Sequence, residues 1–151
     1  MIRYTVTYGS PAQSVTQDST SFTLHPKTLS ISTGTMPSTN SIEASTVVLA
    51  SAVIELQNSA GSAVLTAVVG ADSFMIGASL WKGTTDATSD LTGTSTLVTV
   101  EAGQAQFTNL AVNAPAGGSG YQITFTYSSG SVSVTAATTT FSVGPSKLGI
   151  T

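Results

Sequence analysis

The sequence predicts an all-β protein folded as a two-sheet sandwich, and three observations predict it. The chain is rich in residues that suit strands and poor in strong helix formers: 23 Ser and 26 Thr stand among many Val in 151 residues. Its apolar residues fall in short alternating runs separated by Gly, Pro and Asn turn signals. The sequence also resembles itself at an offset of 119 positions.

Taken in order, Tyr4–Tyr8 and Ser14–Leu24 read as two strands around a Gly9-Ser10-Pro11 turn. His25-Pro26 is a joint, and Thr28–Ser32 a short strand beginning the next unit. Thr33–Ser45 reads as a Ser/Thr/Pro/Gly loop. Thr46–Leu56 is the most apolar strand and is expected in the middle of a sheet. Gln57–Gly61 is turn-like, and Ala63–Val69 a second apolar run of strand type. In Phe74–Trp81 the residues Phe74, Ile76, Ala78 and Leu80 share one face, which puts Trp81 on the other. Gly83–Thr96 reads as a polar loop. Leu97–Val100 and Gln104–Val112 are strands around Glu101-Ala102-Gly103, Asn113–Gly120 is a loop, and Tyr121–Tyr127 and Ser131–Val143 form a last hairpin. Gly144-Pro145 is a second joint, and Leu148–Thr151 starts another strand.

The self-similarity sets the domain organisation. Residues 121–151 lie over 2–32 without a gap, with 12 identities in 31 positions. A Ser/Thr-rich composition inflates chance matches, but Tyr127 on Tyr8, Val134 on Val15, Phe141 on Phe22, Pro145 on Pro26, Leu148 on Leu29 and Ile150 on Ile31 survive that discount. The strand alternation keeps its phase: Ile123, Phe125 and Tyr127 match Tyr4, Val6 and Tyr8. We therefore read residues 1–25 as the last two strands of a preceding repeat or an exchanged terminal hairpin, 26–145 as a complete sandwich repeat, and 146–151 as the first strand of the next.

Gly103-Gln104-Ala105-Gln106-Phe107-Thr108-Asn109-Leu110 resembles the Gly-x-Ala-x-Phe-x-x-Leu signature of bacterial-type immunoglobulin-like repeats in tandem-repeat extracellular surface or fibre proteins. The Tyr-led strand at Tyr121 and the ending Phe141-Ser142-Val143 fit the same pattern, as does the Val-rich strand followed by Gly61. The resemblance covers roughly residues 28–143 and implies an immunoglobulin-like sandwich whose terminal strands belong to adjacent repeats. Gln57 stands where the family often has Asp, and the repeat is longer than its usual sandwich, with the excess expected in 33–45 and 83–96. Independently of the family, Gly103 permits a tight turn, Ala105 and Phe107 share a face, and Leu110 closes the strand on the core.

Charge narrows the function. Charged residues are 7% of the chain and the net charge is -3. Four Lys and Arg neutralise few phosphates, so nucleic acid is not an expected partner, and no basic face exists for a membrane surface. No apolar run reaches the ~20 residues that a spanning helix needs. Thr46–Leu56, the longest, contains Ser51 and Glu55. A surface with so little charge repels copies of itself weakly, which favours self-association. The few Lys and Arg leave few tryptic sites, which suits an extracellular or cell-surface location. Met1-Ile2-Arg3-Tyr4-Thr5 lacks the layout of a signal peptide.

Catalytic chemistry is not expected, and no cofactor is implied. The one His, His25, stands in a joint where the matching residue is Gly144, and a triad needs a base beside a nucleophile. Asp86 and Asp90 share a loop and are the candidates for calcium, with Asp72 and Glu101 elsewhere; the spacing lacks the density of known calcium loops. Lys82 is one of three Lys, any of which could enter an internal Lys–Asn crosslink, and no spacing supports one. Trp81 is either an outward contact or turned inward by a bulge. The interface candidates are Tyr4, Val6, Tyr8, Phe22, Leu24, Trp81, Leu148 and Ile150, and the expected partners are copies of the chain or adjacent repeats. The sequence thus reads as a structural repeat of an extracellular fibre, stalk or adhesin. The alternative is a carbohydrate-binding or spacer sandwich of a secreted protein, with Trp81 and Tyr121 or Tyr127 as a sugar platform.

Overall fold

The computed structural model describes residues 2–19, 25–33, 41–43, 47–61, 74–93, 96–114 and 117–144. Phe22, Leu24, Asp72, Leu148, Ile150, the apolar run 63–69 and the segment 146–151 lie outside the described residues. What is described is nearly all strand, with one 3-10 turn at Thr88–Asp90 and no α-helix. In chain order the strands are β1 (Arg3–Tyr8), β2 (Gln13–Asp18), β3 (Thr28–Thr33), β4 (Ser41–Glu43), β5 (Val47–Gln57), β6 (Met75–Lys82), β7 (Thr85–Asp86), β8 (Leu91–Thr92), β9 (Leu97–Thr99), β10 (Gln104–Val112), β11 (Gly118–Ser129), β12 (Val132–Ala137) and β13 (Phe141–Gly144).

The first sheet of the body has the order β3-β5-β10-β8 and is antiparallel throughout. β5 runs between β3 and β10, with Ala52, Ile54 and Leu56 buried and Ser51, Val53 and Glu55 facing outward. The second sheet has the order β4-β13-β11-β6-β7, with β12 also on β11 and β9 also on β6. Its pairs are antiparallel except β13 with β4, which is parallel. β6 alternates as its sequence predicts: Ile76, Ala78 and Leu80 are buried, and Trp81 faces out.

The sheets meet in one apolar core. The Phe107 ring on β10 and the Phe125 ring on β11 lie 5.0 Å apart across the layers, and neither residue is exposed. Ile54, Ile76, Leu80, Ile123 and Tyr127 complete its centre at 0% exposure. Burying a large apolar side chain is worth about 1.5–3 kcal/mol, so these alternating inward residues are what hold the two layers together.

Local sequence explains how the chain changes layers. β9 belongs to the second sheet and β10 to the first, and the turn between them is closed by the Glu101–Gln104 backbone pair. Its central residues, Ala102 and Gly103, both have positive φ, 49° and 81°, the pattern of the tightest hairpin turns. Within β10, Phe107 and Leu110 are both fully buried although three residues apart. Strict alternation would point them to opposite faces. Asn109, at φ 54°, takes the left-handed conformation that Asn tolerates better than most residues, and turns Leu110 inward. The β10–β5 register slips immediately after Leu110.

Three expected elements differ. Ser131–Val143 is not one strand but two, β12 and β13, which pair successive stretches of β11. Thr138 fills the break and is 2% exposed. Its backbone N donates to the Ile123 carbonyl, and its hydroxyl accepts from the Ile123 N and donates to the Thr139 carbonyl. The stretch 33–45, expected as loop, contains β4 on the edge of the second sheet. The polar loop 83–96 contains β7, the 3-10 turn and β8, which extend both sheets; Leu91 within it is buried.

Candidate interaction surface

β1 and β2 form a separate two-stranded sheet, in register from Arg3↔Asp18 to Tyr8↔Gln13. Period-two alternation divides it into unlike faces. Arg3, Thr5 and Thr7 with Asp18, Thr16 and Ser14 make a polar face. Tyr4, Val6 and Tyr8 with Gln17, Val15 and Gln13 make the other. On that second face Tyr4 is 60% exposed, Val6 64%, Tyr8 53% and Val15 58%. A row of apolar side chains this open is the main unpartnered feature of the described residues.

The hairpin's open end is clamped. Arg3 Nε and Nη2 donate to Asp18 Oδ1 and Oδ2 at 2.7 and 2.9 Å, a two-pronged ion pair. This bond raises the guanidinium pKa and holds the Asp18 carboxyl below its ordinary value. Beyond it, the Ser19 N donates to the Ile2 carbonyl and the Ile2 N to Ser19 Oγ.

The strand pair β11–β12 is the matching pair at the offset of 119, and it shows how such a face looks when covered. Ile123, Phe125 and Tyr127, the counterparts of Tyr4, Val6 and Tyr8, are each 0% exposed. β6 pairs along β11, with Ile123↔Leu80, Phe125↔Ala78 and Tyr127↔Ile76. Phe107 covers Phe125 from the opposite layer, and the Phe74 ring lies 5.5 Å from that of Tyr127. The two pairs close differently: residues 9–12 link β1 to β2, and Gly130-Ser131 links β11 to β12. The pairing consequently moves by two residues, and a shift by two leaves every side chain on its face.

Sequence reasoning had named Tyr4, Val6 and Tyr8 on this surface but missed Val15. The signal was available: in a hairpin closed by residues 9–12, Val15 falls opposite Val6. Ile2, 48% exposed, was missed as well.

His25 is exposed, as the sequence suggested, and its Nδ1 lies 2.9 Å from the hydroxyl of the buried Tyr127, a contact that the sequence did not suggest. Trp81 is half-buried on the outer face of the second sheet, opposite Gln122 on one side and Asp86 on the other, and its Nε1 donates to Ser79 Oγ. The sugar platform does not form around it: Tyr121 and Tyr127 are 3% and 0% exposed because they point into the core. Tyr121 stacks on Phe141, and Lys82 Nζ sits 5.0 Å over its ring, close to the Gly117 carbonyl. That arrangement uses Lys82 as a cap on the core edge.

The Asp86 carboxylate serves its own turn. Asp86 Oδ1 accepts from the Thr88 N at 2.8 Å, and hydrogen bonding to the Thr88 side chain and backbone holds its carboxyl below the usual value. The Asp90 carbonyl accepts from the Asn113 N. Among the described residues no three His, Cys, Asp or Glu side chains are grouped to hold a metal ion. An open depression of about 450 Å³ is lined by Val53, Gln104 and Gln106 of the first sheet together with Val98 and Thr99 of β9 and Glu101, without an aromatic ring. No helix among the described residues is long and apolar enough to cross a membrane.

The chain matches no family model, no curated protein and no solved structure.

Proposed function

We propose that this chain is a structural repeat module of an extracellular fibre, stalk or adhesin, an immunoglobulin-like sandwich that assembles head to tail through its terminal strands. The observation that carries the reading is the open apolar face of β1–β2, which repeats the pattern of the buried face of β11–β12. A two-stranded hairpin is at best marginally stable alone, so a face of this kind is suited to packing on another unit. The signature Gly103–Leu110 supports the immunoglobulin-like assignment through its work in the fold: the turn at Gly103, the inward Phe107 and the Asn109 twist that buries Leu110. Low charge supports self-association. No catalytic role enters this reading.

The carbohydrate-binding alternative keeps Trp81 but loses Tyr121 and Tyr127, since both rings are buried. The mass of the native polypeptide is the test. A mass well above 15.2 kDa, in steps of one repeat, is expected of an array. A native polypeptide near 15.2 kDa that stays monomeric at high concentration would overturn the proposal.

A further inference from the structure

We infer that the apolar face of β1–β2 is the missing wall of a second sandwich of this same kind, one that has strands of the β3 to β10 type and lacks its own closing pair. This inference rests on the repeat reading and adds the identity of the partner surface. Tyr4, Val6, Tyr8 and Val15 match Ile123, Phe125, Tyr127 and Val134 in position, and all but Val134 of the latter are fully buried. The elements that bury them are known: β6 alongside β11, and Phe107 and Phe74 over its rings. Carried over the offset, a β6-type strand pairs the free edge of β1, placing a Leu80 equivalent beside Tyr4, an Ala78 equivalent beside Val6 and an Ile76 equivalent beside Tyr8. A β10-type strand then lays its Phe107 equivalent over Val6.

The match is one of pattern and not of size: Val6 is smaller than Phe125, Tyr4 is larger than Ile123, and Gln13 and Gln17 stand where β12 has Val132 and Ala136. The polar face of the hairpin, with its Arg3–Asp18 pair, corresponds to the outer side of β11–β12, where Gln122, Thr124 and Thr126 face away from the core. The first strand of the hairpin therefore has the same alternation as β11, apolar toward one side and polar toward the other. The partner surface does not exist on the body of the same chain, because there β11 and β12 already occupy it.

The test uses the full chain extended at its N-terminus in two ways. In one polypeptide, residues 26–120 are joined directly ahead of Ile2. In the other, residues 26–144 are joined there, so that the added unit brings its own closing strands. Hydrogen exchange is measured at Val6 and Val15. In the first polypeptide the exchange of these amides is expected to slow by about 100-fold or more relative to the unextended chain, as for strands inside a cooperative unit. In the second it is expected to stay as fast as in the unextended chain. Val6→Asp in the first polypeptide removes protection from the hairpin and the added segment and leaves Phe125 and Val134 protected, which separates loss of docking from general misfolding.

Equal protection in both polypeptides, or in neither, overturns the inference. So does slow exchange in the unextended chain that depends on its concentration, since the face is then covered by exchange between complete copies. The repeat reading stands or falls separately, on the mass of the native polypeptide.

Discussion

Tyr8 and Tyr127 hold equivalent positions in two matching strand pairs, yet Tyr8 is 53% exposed and Tyr127 not at all. Tyr127 also bonds His25 through its hydroxyl and packs edge-on against Phe74. One residue type at one strand position thus has two energetic roles, and the difference lies in what surrounds the strand.

Replacing each Tyr by Ala measures that difference. Tyr127→Ala is expected to lower the stability of the body by about 3–5 kcal/mol, the usual cost of emptying a large aromatic site. Tyr8→Ala in the same chain is expected to change it by less than about 0.5 kcal/mol. Urea unfolding followed by Trp81 fluorescence reads both. A Tyr8→Ala loss comparable with that of Tyr127→Ala would mean that the hairpin is already packed on a core.

Asn109 tests the twist within β10. Its left-handed backbone is strained for a β-branched residue, so Asn109→Val is expected to cost about 1–2 kcal/mol. Asn109→Gly is expected to be nearly neutral, because Gly adopts positive φ freely. If Asn109→Val is as stable as the parent in denaturant unfolding, the twist is not what places Leu110.

The hairpin clamp depends on pH. Asp18 is held below its ordinary pKa by the bond from Arg3, so its contribution is complete above the unfolded carboxylate range. It declines as pH falls through the lowered folded value. Amide exchange in β1–β2 should accelerate, beyond the intrinsic pH effect, below about pH 4. Asp18→Asn should abolish that pH-dependent part, and added salt should weaken it because the pair is exposed. An unchanged profile in Asp18→Asn would remove Arg3–Asp18 from the account.

His25→Gly makes the joint identical to its counterpart at Gly144. The fold should persist. Loss of the bond to Tyr127 should cost about 0.5–1.5 kcal/mol, read by thermal unfolding. A larger loss, or a failure of assembly on this change alone, would give the joint a specific role.

The parts of the fold legible in the sequence were those written in period two. The faces of β6, β10 and β11 follow from Ile76-Ala78-Leu80, Ala105-Phe107 and Ile123-Phe125-Tyr127. The break between β12 and β13 was not legible, because Thr138 satisfies the backbone from inside a run of Thr that reads as continuous strand. The short strands β4, β7 and β8 exist only through pairing with distant partners, and two or three residues carry no periodicity of their own. On the open face of β1–β2, Tyr4, Val6 and Tyr8 announced themselves by alternation. Val15 needed the turn length, and the His25–Tyr127 bond joins residues 102 positions apart, beyond any local pattern.

The two hairpin tips differ by an even number of residues, and evenness has a consequence for how such units can diverge. An insertion of two residues at either tip slides one strand along the other and keeps Val15 or Val134 beneath the same neighbours' face. An insertion of one, unless absorbed as a bulge, turns the second strand over and presents Ser14, Thr16 and Asp18 on the face that carries Tyr4, Val6 and Tyr8. Length variation at these tips is therefore filtered by parity: pairs of residues pass unnoticed, while single ones invert the wall on which the next layer must pack.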